Sequence, residues 1–93
     1  MSSCDVCIPN QLGLHARAAA KFVHVATRFR SQIHVARDNR VIDGKSIMGI
    51  LLLAAPCGTS ITITADGPDE SEAIAALCKL VASGFGETTT WNV

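Results

Sequence analysis

Residues 60–65 read Ser-Ile-Thr-Ile-Thr-Ala, an unbroken alternation of polar and apolar side chains. A period of two marks a half-exposed strand, with Ile61, Ile63 and Ala65 on one face and Thr62 and Thr64 on the other. Such a ribbon cannot stand alone. It requires neighbouring strands and a layer over its apolar face. Two further segments share the period. Cys4, Val6 and Ile8 alternate with Asp5 and Cys7 until Pro9 and Asn10 stop the strand, and Ile33 and Val35 share one face of the segment from Gln32 to Ala36. Asp38, Asn39 and Arg40 have hairpin-turn chemistry and lead into a short strand at Val41 and Ile42.

The covering layer is written in the other period. From Ala16 to Arg28, Ala19, Phe22, Val23, Ala26 and Phe29 recur at spacings of three and four, which gives a helix one apolar stripe. Ser46 is placed as the N-cap of a short apolar helix from Ile47 to Leu53, and Pro56 and Gly58 end that segment. Pro68 and Asp69 open a last helix. Asp69 and Glu72 have capping-box spacing, Ile74, Leu77, Cys78 and Val81 form the buried stripe, and Gly84 is a C-terminal stop. Residues 88–93 read as a frayed tail. The order β-α-β-β-α-β-α predicts an α+β fold, with a four-stranded antiparallel sheet, three helices on one face and water on the other. At 93 residues the chain is expected to be a single domain, 1–93.

Charge narrows the function. Eight lysines and arginines balance eight aspartates and glutamates, which argues against a general nucleic-acid binder and against a charged membrane anchor. The apolar run from Ile50 to Pro56 is far shorter than the roughly 18 residues of a membrane span, and the first residues lack the basic start and apolar run of a signal peptide. A soluble cytoplasmic protein is expected. Its cysteines, Cys4, Cys7, Cys57 and Cys78, are therefore expected to stay reduced, Cys78 as a small hydrophobe. Cys4 and Cys7 have Cys-x-x-Cys spacing, but residues three apart on a strand point to opposite faces, and the spacing fits no closed zinc site. No metal and no cofactor are expected.

The segment Gly13-Leu14-His15-Ala16-Arg17 lies between the first strand and the first helix. The first backbone N–H groups of that helix, at Ala16, Arg17 and Ala18, have no helical partner, and with the helix dipole they make an anion site. Arg17 adds a guanidinium suited to a phosphate, and Gly13 permits a tight loop. A neutral His15 imidazole is a nucleophile. From these residues alone a second reading stays open: His15 is a capping or loop histidine without chemistry. His24, inside the helix, and His34, on the outer face of a strand, are given no catalytic chemistry.

Gly13 to Arg17, then Gly44-Lys45-Ser46-Ile47-Met48-Gly49, then Ile61 to Glu70 follow one another at a spacing that strongly resembles the HPr family. These are the histidine phosphocarriers of the bacterial phosphoenolpyruvate:sugar phosphotransferase system. The resemblance runs from about Val6 to Gly86. It implies an open-faced β-sandwich, phosphorylation of His15 on Nδ1 by phospho-enzyme I, stabilisation of the phosphohistidine by Arg17, and transfer to enzyme IIA domains. The protein would be a phosphoryl carrier rather than an enzyme, and a monomer. The resemblance also implies a docking surface at Ala20 and His24 of the first helix and Ile47, Met48, Leu51 and Leu52 of the second. Ser46 matches the family's regulatory position, phosphorylated by an HPr kinase/phosphorylase in catabolite regulation. Two positions depart from the family: Ala18 replaces the usual proline, and Leu12 stands where many relatives carry a small polar residue. The alternative reading is a regulatory interaction protein acting through phosphorylated Ser46, with little sugar transport. A thiol or metal protein using Cys4, Cys7 and nearby histidines is the third.

Overall fold

The alternating ribbon finds partners on both sides. The computed structural model describes residues 1–86. In chain order it contains β1 (Ser2–Cys7), α1 (Ala16–Ala26), β2 (Gln32–Arg37), β3 (Arg40–Asp43), α2 (Ile47–Leu53), β4 (Ser60–Asp66) and α3 (Glu70–Ala82). The sheet runs β1-β4-β2-β3 with every pair antiparallel, so the most regular strand lies inside and the short β3 lies at an edge. The element order, the antiparallel sheet and the helical layer are those expected from the sequence. The frayed tail expected at 88–93 lies outside the described residues.

Register follows from the alternation. Cys4 faces Ile63, Ile63 faces Val35 and Val35 faces Ile42, which makes one inward row across the sheet. The next row, Ser3, Thr64, His34 and Asp43, points outward. A slip of one residue would exchange these rows and put the apolar set in water. Beneath the inward rows lie Phe22 of α1, Ile50 and Leu53 of α2, and Leu77 and Val81 of α3, all buried. Each such side chain contributes roughly 1.5–3 kcal/mol on burial. Asp38 takes φ 55 in the two-residue β2–β3 turn, a left-handed conformation that aspartate tolerates better than most residues. Gly84 takes φ 74 and ends α3 as anticipated, because its N–H donates to Val81 O and the N–H of buried Phe85 donates to Leu80 O.

Two local expectations are corrected. The capping box at Asp69 does not form. Asp69 is the N-cap residue of α3, but its carboxylate accepts from the backbone N–H groups of Arg30 and Ser31 and from the Ser31 hydroxyl. Donors on the α1–β2 connection, 38 and 39 residues away, outcompete the helix's own N–H groups. The cysteines are not all reduced: Cys4 is bonded to Cys78, while Cys7 and Cys57 are free and exposed. Cys4 sits on the inward side of β1 and Cys78 on the inward stripe of α3, with Cα atoms 6.9 Å apart, so packing helix on sheet brings them together.

The N-terminal edge strand is also tied to α3 electrostatically. Glu70 Oε2 accepts from the Met1 ammonium at 2.8 Å and from the Ser2 hydroxyl at 2.7 Å, and Oε1 accepts from the Gly67 N–H at 3.2 Å. These donors, the ammonium foremost, hold Glu70 down from an ordinary value of 4.5 to about 2. The Ser31 hydroxyl, then the Arg30 N–H, hold Asp69 below the usual carboxylate range.

Thiol titration of the native, unreduced protein should count two reactive groups, Cys7 and Cys57, and all four cysteines only after reduction and unfolding. Closing a loop with a sequence separation of 74 stabilises by about 4 kcal/mol in the chain-entropy account, so reduction should shift the denaturation midpoint markedly. Because the folded values of Glu70 and Asp69 lie below their unfolded ones, their contribution is complete above the ordinary carboxylate range and is lost as pH falls. For Glu70 the window runs from pH 4.5 down to about 2. Glu70→Gln should flatten that acid limb of the stability curve, and an unchanged limb would contradict the assignment.

Candidate functional site

Residues 8–15 connect the end of β1 to the start of α1 across the top of the core, and every turn of that connection is bonded. The Ile8 N–H donates to Thr59 O at 2.9 Å and the Gly58 N–H to Ile8 O at 2.8 Å. Gly13 donates its N–H to Asn10 O at 3.1 Å, and Leu14 donates to Ala55 O at 3.0 Å. Gly13 has φ 66, and a Cβ there would lie 2.7 Å from Ala55 O and 3.0 Å from the Pro56 Cα. Both the conformation and the close approach of the two backbones require glycine. The Leu14 side chain is buried beneath the turn.

His15 is the N-cap of α1, with φ −83 and ψ −179. Its N–H donates to Gly13 O at 3.0 Å and its carbonyl accepts the Ala19 N–H at 2.8 Å. Its Nδ1 accepts the Arg17 backbone N–H at 3.3 Å. That bond requires the Nδ1 lone pair to be available, so in a neutral ring the proton resides on Nε2. The N–H groups of Ala16 and Ala18 belong to the same unclosed first turn. No acidic side chain lies in that turn, and Arg17 is exposed. A cation at a helix N-terminus opposes the dipole, so this end of α1 carries positive potential from backbone and side chain together. Buried Ala18 lets the helix begin at Ala16 without proline.

Ser46 caps α2 as expected. Its Oγ accepts the Gly49 N–H at 3.1 Å, and the residue is half-buried. Beyond it Ile47, Met48, Leu51 and Leu52 form an exposed apolar face, with Met48 68% and Leu52 63% exposed. Ala20 and His24 are exposed on α1, which packs beside α2. The far end of α2 is closed by side chains from the β-hairpin: Arg37 Nη1 donates to Leu53 O and Ala54 O, and Arg40 Nη1 donates to Leu52 O at 2.8 Å. These caps left no local signal, because the arginines lie 12–17 residues upstream of the carbonyls they reach. Leu12, the departure noted in the sequence, is 63% exposed on the loop that carries His15. One feature near His15 was missed: Asn10 is 1% exposed beneath that loop. Proline followed by asparagine reads only as the end of a strand.

The cysteine-based reading loses its pair, since Cys4 is bonded to Cys78 and Cys7 points to the opposite face of β1. Among the described residues no group of three or more His, Cys, Asp or Glu side chains is placed to hold a metal ion. Among them, too, no helix is long and apolar enough to cross a membrane.

Comparison with known proteins agrees with this geometry. Residues 2–83 match the PTS-HPr family model, described as the PTS HPr component phosphorylation site. The phosphocarrier protein HPr of Cupriavidus necator is 52% identical over 83 residues, covering 89% of this chain and 93% of that protein. The crystal structure of HPr-C-His from Thermoanaerobacter tengcongensis superposes with a TM-score of 0.91 at 48% identity, covering 95% of this chain and 99% of the other. An HPr dimer from the same organism superposes at 0.75 with 48% identity, covering 94% of this chain and 100% of the other. The chain belongs to the HPr family of phosphocarrier proteins of the phosphotransferase system.

Proposed function

We propose that this protein accepts a phosphoryl group on Nδ1 of His15 from phospho-enzyme I and passes it to enzyme IIA domains, as a monomer in the cytoplasm. The observation that carries this reading is His15 at the N-cap of α1, with Nδ1 on the Arg17 N–H. In transfer, the Nδ1 lone pair forms the N–P bond while the donor's bond to phosphorus breaks and the donor leaves with that electron pair. The ring keeps its proton on Nε2. The Arg17 N–H then turns from Nδ1 to a phosphoryl oxygen, joined by the other N–H groups of the first turn and by the Arg17 guanidinium. Helix-terminus contacts contribute about 0.3–1 kcal/mol each, up to about 2 in partly buried geometry. That favours the phosphorylated state and leaves it able to give the group up. The exposed apolar face of α2 supplies a docking surface for more than one partner, with Ala20 and His24 at its side.

The same reading assigns regulation to Ser46. A phosphate added there by an HPr kinase/phosphorylase stands at a helix start, where negative charge is tolerated. It also stands at the edge of the apolar face, where it repels carboxylates of a partner. Regulation without transport remains the competing reading, and phosphorylation by enzyme I separates the two.

Incubation with phosphoenolpyruvate and enzyme I should label the protein with an acid-labile, base-stable phosphate that is absent from His15→Ala. Arg17→Ala should lose a charge-assisted contact of about 1.5–3 kcal/mol, slowing transfer roughly ten- to a hundredfold. An unlabelled wild type would contradict the carrier reading. ATP and an HPr kinase should give an acid-stable label absent from Ser46→Ala, and a wild type left unlabelled would remove the regulatory part.

A further inference from the structure

Asn10 is a polar side chain sealed under the loop that presents His15. Its Nδ2 donates to Gly13 O at 2.8 Å, and its own carbonyl accepts the Gly13 N–H at 3.1 Å. The two bonds close a ring around residues 10–13. The same Gly13 carbonyl accepts the His15 N–H at 3.0 Å. One buried amide therefore holds the oxygen that holds the backbone of the N-cap residue. Gly13 has no side chain of its own to fix that carbonyl, and Leu12 points outward with nothing polar to offer. A buried amide left without its bond bears the full cost of its lost hydration, so the arrangement is strongly specified.

We infer that Asn10 is a positioning residue for His15, acting through the Gly13 carbonyl to keep Nδ1 on the first turn of α1. The inference rests on the phosphocarrier reading for its kinetic consequence, but its structural consequence stands without it. The Arg17 N–H reaches Nδ1 at 3.3 Å, already long for a hydrogen bond. A small shift of the Gly13 carbonyl carries the His15 backbone with it and breaks that contact. Phosphorus would then be delivered to a ring misaligned with its N–H groups and with Arg17. Partner docking should be untouched, because Asn10 is buried and touches no partner.

The test compares Asn10→Ala, which removes the donor, and Asn10→Asp, which replaces the donor with an acceptor of nearly the same size. Ile63→Val in β4 is the control, a core destabilisation remote from the loop. Enzyme I is assayed with each variant as its phosphate acceptor, and the Arg17 amide is followed by NMR in the unphosphorylated proteins. Both Asn10 variants should lower kcat about tenfold with KM within about twofold. Their Arg17 amide proton should move upfield, as expected on losing Nδ1. Ile63→Val should lower Tm without either change. A folded Asn10→Ala with unaltered kcat and Arg17 resonance would overturn the inference. If neither Asn10 variant folds, the wild-type Asn10 side-chain amide is followed while the His15 ring is titrated: a coupled shift supports the inference, and no shift overturns it. Failure of the wild type to accept phosphate counts against the carrier reading alone, since the Arg17 and Asn10 resonances need no phosphate.

Discussion

The Leu14 N–H donates to the Ala55 carbonyl, and around that bond the two ends of the molecule's functional surface are joined. On one side lies the loop from β1 into α1. On the other lies the chain leaving α2 toward β4. Gly13 is what lets the two backbones meet, since a Cβ would sit 2.7 Å from the Ala55 oxygen. Once they meet, α1 must begin at the next residues, and His15 becomes its N-cap. The His15 ring and the open N–H groups of the first turn are thus held beside the chain that leaves α2 by one backbone contact and the glycine that permits it.

The sheet and core make that contact rigid. The Ile8 N–H donates to Thr59 O and the Gly58 N–H to Ile8 O, which continues the β1–β4 pairing past its end, so the loop leaves a fixed platform. Leu14 enters the core below it. No acidic side chain in the first turn of α1 offsets its positive end, and Arg17 adds to it. In the proposed carrier reading, an arriving phosphoryl group would offset that local positive charge, which is how the start of α1 would favour the loaded state.

What the sequence disclosed was whatever is local. The alternation in β4, the stripe of α1, the Ser46 cap, the Asp38–Asn39 turn and the Gly84 stop all depend on neighbours within a few residues, and each is present. What it concealed depends on pairs far apart in the chain. Asp69 looked like the cap of its own helix and instead serves Arg30 and Ser31. Cys4 and Cys78 are separated by 74 residues and meet only when α3 lies on the sheet. Arg37 and Arg40 close α2 from the hairpin. At the site, the position of Gly13, His15 and Arg17 at the start of α1 was legible because a strand-to-helix junction has recognisable turn and cap residues. Asn10 was not, because its partner is a backbone oxygen that any residue could have supplied.

The central claim is that His15 Nδ1 takes the phosphoryl group and that the start of α1 receives its charge. Nitrogen and phosphorus NMR of the labelled protein, recorded before and after phosphorylation by phosphoenolpyruvate and enzyme I, tests both parts at once. The account predicts phosphorus coupling to Nδ1 of His15, retention of the proton on Nε2, and large downfield shifts of the Arg17 and Ala18 amide protons. Phosphorus coupled to Nε2, or coupled to Nδ1 with those amides unmoved, would contradict it.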